Sequence, residues 1–212
     1  TSDVVVTNCT ISDNTSLIWG AGGVKVVACS PVFYNCLIKN NYADQYGGAV
    51  DAANSPGPTF INCTFVNNRT ESREADIWLN GTEMTFINCM IWDSGTEQIA
   101  FNSTGENTVT FVNSSVRGGI EPIELLYNYE WNDVSWDGAG NMDSYPLFAD
   151  TTNGDYSLSN YSPAIGAGTA SVTIGGTAFT ASSTDIDGNA RPNPSGSNPD
   201  IGAYENALGT PL

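Results

Sequence analysis

Four cysteines, each preceded by asparagine, recur at nearly equal intervals. Asn8-Cys9, Asn35-Cys36, Asn62-Cys63 and Asn88-Cys89 stand 27, 27 and 26 residues apart, and Asn113-Ser114 follows 25 residues later. A thiol can serve as a nucleophile, a redox centre or a soft metal ligand, but each role needs partners. The chain contains no histidine, which excludes a mixed Cys/His zinc site. A sulfur-only site would require cysteines from four successive repeats to converge. With Cys29 the cysteines number five and none forms a CxxC pair, so pairing within the chain cannot be complete. The spacing therefore reads as architecture: a column of small, polarizable, apolar thiols in a stacked core.

Carboxylates are the next candidates. Asp and Glu total 23 against six Lys and Arg, for a formal net charge of -17. That balance argues against nucleic acid and anionic membrane surfaces as partners, since both demand a basic footprint. Cations, neutral glycans and other proteins remain. An inverting glycosidase needs two carboxyl groups about 6.5–9.5 Å apart across a groove; Asp51, with Asp44, Glu74 and Asp76 near it in phase, is the best source. A lyase needs a base beside the sugar, and the repeat region offers Lys25, Lys39, Arg69, Arg73 and Arg117. Near the C-terminus Asp185, Asp187 and Asp200, with Asn189 close by, could supply oxygen ligands to Ca²⁺. Asp185-Ile-Asp-Gly-Asn189 nevertheless lacks the rest of the twelve-residue EF-hand pattern, and Asx turns beside glycine account for the same residues.

The elements that must position these groups follow from the repeat. Val6-Thr-Asn-Cys-Thr-Ile11, Phe33-Tyr-Asn-Cys-Leu-Ile38, Phe60-Ile-Asn-Cys-Thr-Phe65, Phe86-Ile-Asn-Cys-Met-Ile91 and Phe111-Val-Asn-Ser-Ser-Val116 align as short β-prone segments closed by turn residues such as Asn40-Asn41 and Asn67-Asn68. A second strand column contains Gly23–Val27, Gly48–Ala53, Asp76–Asn80 and Gln98–Asn102. Aligning Val24, Val50, Ile77 and Ile99 puts Val26, Ala52, Leu79 and Phe101 on the same inward face, by the two-residue strand period. The opposite face then carries Lys25, Asp51, Trp78 and Ala100. Breaks at Gly and Asn every five to eight residues exclude helical repeats, so the fold class is all-β: a right-handed parallel β-helix, a solenoid of about 25–27 residues per coil. The Asn of each step reads as a bend residue whose amide bonds its counterpart, or backbone, one rung away. Ladder positions are thus Asn8, Cys9, Asn35, Cys36, Asn62, Cys63, Asn88, Cys89 and Asn113. Triplets resembling glycosylation acceptors at Asn8, Asn62 and Asn113 are simply ladder positions.

After about Gly119 the repeat fades. Residues 1–119 are expected to form the regular coils, and 120–212 an excursion, the last coils and an irregular C-terminal cap of the same domain, because an open solenoid end exposes core and unpaired backbone. Tyr145-Pro-Leu-Phe, Gly154-Asp-Tyr, Ser162-Pro-Ala-Ile-Gly-Ala-Gly168, Asp185-Ile-Asp-Gly-Asn-Ala-Arg-Pro192 and Asp200-Ile-Gly-Ala-Tyr-Glu205 occur in that order. Together with the Asn-Cys coils, this series resembles the choice-of-anchor Q domain proteins, bacterial surface or secreted β-helix proteins. One departure is Gly166, where that family commonly has Asp. The resemblance implies an extracellular or cell-surface location and no agreed enzymatic activity. The chain begins in mid-repeat, so further coils and any export signal are expected upstream; no stretch is long enough to span a membrane.

The expected role is a noncatalytic structural or adhesive surface module, contacting extracellular polysaccharide or surface proteins through the outward face bearing Lys25, Asp51 and Trp78. Self-association by coil stacking is a further expectation. The alternative is a polysaccharide lyase or glycoside hydrolase of the pectate-lyase-like type, resting on fold analogy alone. No cofactor is expected, Ca²⁺ at Asp185, Asp187 and Asp200 being the one candidate.

Overall fold

A computed structural model describes residues 4–54, 56–71, 75–93, 97–102, 105–121, 123, 132–136 and 140–212. Its elements follow one another coil by coil. The first coil holds β1 (Val5–Thr7), β2 (Thr10–Ser12), β3 (Thr15–Ser16) and β4 (Val24–Val27); the second β5 (Val32–Tyr34), β6 (Leu37–Lys39), β7 (Tyr42–Ala43) and β8 (Val50–Ala53). The third comprises β9 (Thr59–Ile61), β10 (Thr64–Val66), β11 (Arg69–Thr70) and β12 (Ala75–Asn80). Next come β13 (Glu83–Ile87), β14 (Met90–Trp92) and β15 (Glu97–Phe101), then β16 (Asn107–Val112) and β17 (Ser115–Val116), and finally β18 (Asn132–Trp136). Every strand pairs in parallel with its counterpart one coil away, which makes the chain a parallel β-solenoid.

The interior is built from ladders. Phe33, Phe60, Phe86 and Phe111 stack with ring centroids 4.7, 5.4 and 5.3 Å apart, and Trp136 closes the series edge-on at 5.4 Å. Each such buried ring contributes about 2 kcal/mol of burial. Cys36, Cys63 and Cys89 are buried beside them, and buried Ser114 takes the next place; all five cysteines are free. Each of these thiols donates to carbonyls of its own and the preceding coil, as Cys89 Sγ does to Ile87 O and Phe60 O, both at 3.3 Å. Cys9, in the first described coil, is exposed.

The Asn-Cys segment is not one strand. Asn8, Asn35, Asn62, Asn88 and Asn113 all take positive φ, between 46° and 53°, a conformation that asparagine tolerates better than other non-glycine residues. Each therefore splits the aligned segment into two strands belonging to different sheets. The expected rung-to-rung bond forms at Asn35 Nδ2 to Asn8 Oδ1, 3.0 Å. Asn62, Asn88 and Asn113 instead donate to Asp200 O, Thr169 O and Ala167 O of the C-terminal region. The continuous amide ladder lies one turn on. Asn14, Asn41 and Asn68 each donate through backbone N and Nδ2 to the next side chain, ending at Asp93.

Those contacts also place the C-terminal region. It contains two antiparallel pairs, β19 (Phe148–Asp150) with β20 (Asp155–Leu158) and β21 (Ser171–Ile174) with β22 (Thr177–Thr180). Its irregular remainder runs along the flank of the coils, where a cover over the open end was the expected role. Leu158, Ala164, Ile165 and Ile201 bury Met90, while the β21–β22 hairpin covers Ile61, Ile87 and Val112. The outward side chains of β9, β10, β13 and β14 include Ile61, Val66, Ile87, Met90 and Trp92, apolar groups that require a lateral partner as much as any end does.

Candidate functional site

The outward column from β4 to β15 has the register expected from alignment: Lys25 beside Asp51, Asp51 beside Trp78, and Trp78 beside Ala100. Lys25 Nζ lies 3.0 Å from Asp51 Oδ2. Close approach of the coils is secured by glycine. A Cβ at Gly48 would fall 2.4 Å from Arg69 O, and Gly20, at a φ of 114°, passes the chain over the Lys25 side chain.

The column is not the open platform the alignment implied. Asp51 and Trp78 are each only 5% exposed, because Tyr46 packs onto Ala75, Trp78 and Ala100. Trp19 in turn stacks on Tyr46, with centroids 5.6 Å apart and planes at 29°; Tyr46 and Trp78 lie 5.2 Å apart. The three rings, the Lys25–Asp51 pair, Asn80 and Asn102 line a cleft of about 220 Å³. Trp19 remains 66% exposed at the mouth, next to Leu17 and Ile18, both 70% exposed. Trp19 and Tyr46 went unnoticed in the sequence, although their 27-residue separation equals the coil period.

Asp51 is the one carboxylate among the described residues lining this cleft, and it is paired with Lys25. Asp76 is buried in β12 and Asp44 is half-buried beyond β7; Glu74 and Arg73 lie outside the described residues. Arg69 rests over the Tyr42 ring at 4.5 Å, and Lys39 and Arg117 sit on a different sheet. The bases and acids proposed for sugar chemistry are therefore dispersed.

The C-terminal acids hold loops together. Asp185 Oδ1 accepts from the N–H of Asp187 and Asn189, and its Oδ2 from Asn189 Nδ2 and Glu205 N. Asp200 accepts from Gly166 N at 2.7 Å and Asn206 N at 2.6 Å. Burial pushes the Asp200 carboxyl up to about 7, against the lowering effect of those two donors. Asp187 is exposed at the loop tip. Among the described residues no group of three or more His, Cys, Asp or Glu side chains is disposed to hold a metal ion. At Gly166, φ is 64° and a Cβ would lie 2.2 Å from Gly209 O, so only glycine fits there without strain. Arg191 completes the array, its Nε 2.7 Å from Glu205 Oε2 and its Nη1 donating to Asn35 Oδ1 at 2.7 Å, with both ionic side chains fully buried.

A family model described as right handed beta helix region matches residues 1–134. No curated protein and no solved structure gives a significant match to the chain.

Proposed function

The chain belongs to the right-handed β-helix family, and from that premise we propose that it is a noncatalytic extracellular or cell-surface module that holds glycans in the Trp19–Tyr46–Trp78 cleft. The observation carrying this reading is the run of three rings beside paired and amide side chains. Aromatic faces pack against the C–H face of a pyranose, while the amides of Asn80 and Asn102 suit its hydroxyls as donors and acceptors. Trp19 is already partly ordered by Tyr46, which lowers the entropy cost of binding. The surface location and the finer assignment to the choice-of-anchor Q group rest on the order of C-terminal motifs.

Titration with neutral oligosaccharides of the cello-, xylo- and chito- series tests the proposal. Trp19→Ala and Tyr46→Ala should weaken binding of the preferred sugar about tenfold or more, equivalent to about 1.4 kcal/mol, without altering the fold by circular dichroism. Absence of binding at millimolar sugar, or unchanged binding by Trp19→Ala, would reject it. Release of new reducing ends or unsaturated products from a polysaccharide panel would favour the lyase or hydrolase alternative.

A further inference from the structure

The outward face of β4, β8, β12 and β15 carries two rows of side chains, because residues two apart on a strand share a face and lie about 7 Å from one another. One row is Lys25, Asp51, Trp78 and Ala100. The other runs Val27, Ala53, Asn80 and then Asn102, whose main-chain N donates to Leu79 O at 2.7 Å. Ala53, Asn80 and Asn102 all line the Trp19 cleft, and each is half-buried. The second row thus presents carboxamides on two successive rungs, about 4.8 Å apart, and only a methyl group on the rung before them.

Elsewhere in the chain, amides at that spacing bind one another. Asn14 Nδ2 donates to Asn41 Oδ1, and Asn41 Nδ2 to Asn68 Oδ1, each at 2.9 Å across one rung. At Ala53 the row in the cleft lacks its amide, so a ligand amide seated over Ala53 meets Asn80 as one rung of that ladder meets the next. The cleft volume limits what carries the amide. At about 220 Å³ it falls below the usual range for drug-sized ligands, about 300–1,000 Å³, and takes one sugar unit with its substituent.

We propose that the cleft recognises an N-acetylated hexosamine unit, with its ring against Trp19 at the mouth and its acetamido group over Ala53. The assignment rests on the glycan reading above and specifies its ligand. The acetamido N–H donates to Asn80 Oδ1, in the same sense as the Asn14–Asn41–Asn68 ladder. Its carbonyl accepts from the Lys25 ammonium, which has hydrogens to spare beyond its bond to Asp51, and its methyl rests on that of Ala53. A hydroxyl in the same place offers no methyl and only one hydrogen.

The test titrates the intact chain with the methyl glycosides of N-acetylglucosamine and N-acetylgalactosamine against those of glucose and galactose, pairs that differ only at the 2-position. One N-acetylated glycoside should bind about tenfold or more tightly than its parent hexoside. Asn80→Ala, and separately Ala53→Leu, which fills the seat, should abolish that preference while leaving the hexoside affinity unchanged; Trp19→Ala should weaken both members of the pair. Equal affinity within both pairs overturns the acetamido assignment and leaves the glycan reading standing. A preference retained in both Asn80→Ala and Ala53→Leu also overturns it. So does the absence of binding by all four glycosides at millimolar concentration, and the oligosaccharide titration then decides the glycan reading separately.

Discussion

Asp93 receives the last bonds of the amide ladder: Asn68 N and Nδ2 both donate to Asp93 Oδ1, at 2.8 and 2.9 Å. One coil earlier in the series Asn68 Nδ2 also reaches Ile38 O, as Asn41 Nδ2 reaches Ile11 O. A carboxylate at the next rung has no hydrogen to offer, and Asp93 Oδ2 is buried without a hydrogen-bond partner. Burial pushes this carboxyl up to about 7, although the Asn68 donors and the Arg117 charge pull the other way.

A pH dependence of stability follows. The folded value lies above the ordinary 3.8, so the neutral acid is the form that folding favours. Its contribution is complete below about pH 4 and is lost as pH rises through about 7, with Asp200 shifted in the same direction. Melting temperature should fall across that window and level off above it. Asp93→Asn removes the buried charge and supplies an amide donor, and should stabilise the chain above pH 7 relative to the parent. A melting curve for Asp93→Asn with the same slope against pH as the parent would contradict the assignment.

Thiol reactivity should divide by depth. Hydrogen bonding to Cys63, followed by burial, drives the Cys36 thiol far up, and burial drives up Cys63. Both should resist a disulfide reagent such as DTNB in the native chain, as should buried Cys89, while exposed Cys9 reacts first. All five should titrate in denaturant. Cys63→Ala should cost about 1–2 kcal/mol through a small cavity, read from urea unfolding. Rapid native labelling of Cys63 would show that the inner ladder is not closed.

The flank contact depends on Arg191. Its substitution by Met strands buried Glu205 and removes the tie to Asn35, so unfolding free energy should drop by about 3–5 kcal/mol, with earlier proteolytic release of the C-terminal region. A chelator should leave the melting temperature unchanged, since main-chain and amide N–H groups already occupy Asp185 and Asp200. A drop on chelation that Ca²⁺ reverses would instead assign these acids to a metal.

Much of the coil was legible from side chains alone. Alternation in Gly23–Val27, Gly48–Ala53 and Asp76–Asn80 set the register of Lys25, Asp51 and Trp78, because strand periodicity is local and each coil repeats the same problem. The accessibility of that column was not legible. It depends on Tyr46 and Trp19, carried by turns whose path over the sheet no two-residue period encodes. Likewise Asp185 and Asp200 resemble metal ligands until the donors around them are placed, among them Glu205 N and Gly166 N, which lie 20 and 34 positions away.

By itself the sequence determined the stacked parallel coils, their inward Cys column and the bends at Asn, since these arise from short-range periodicity and from the tolerance of asparagine for positive φ. Tertiary structure alone decided which outward residues meet water. The C-terminal region lies along the flank, receiving hydrogen bonds from the ladder amides of Asn35, Asn62, Asn88 and Asn113 and closing one groove, while the Trp19 turn folds over another. Such contacts join segments far apart in the chain, and their geometry depends on the whole coil being formed.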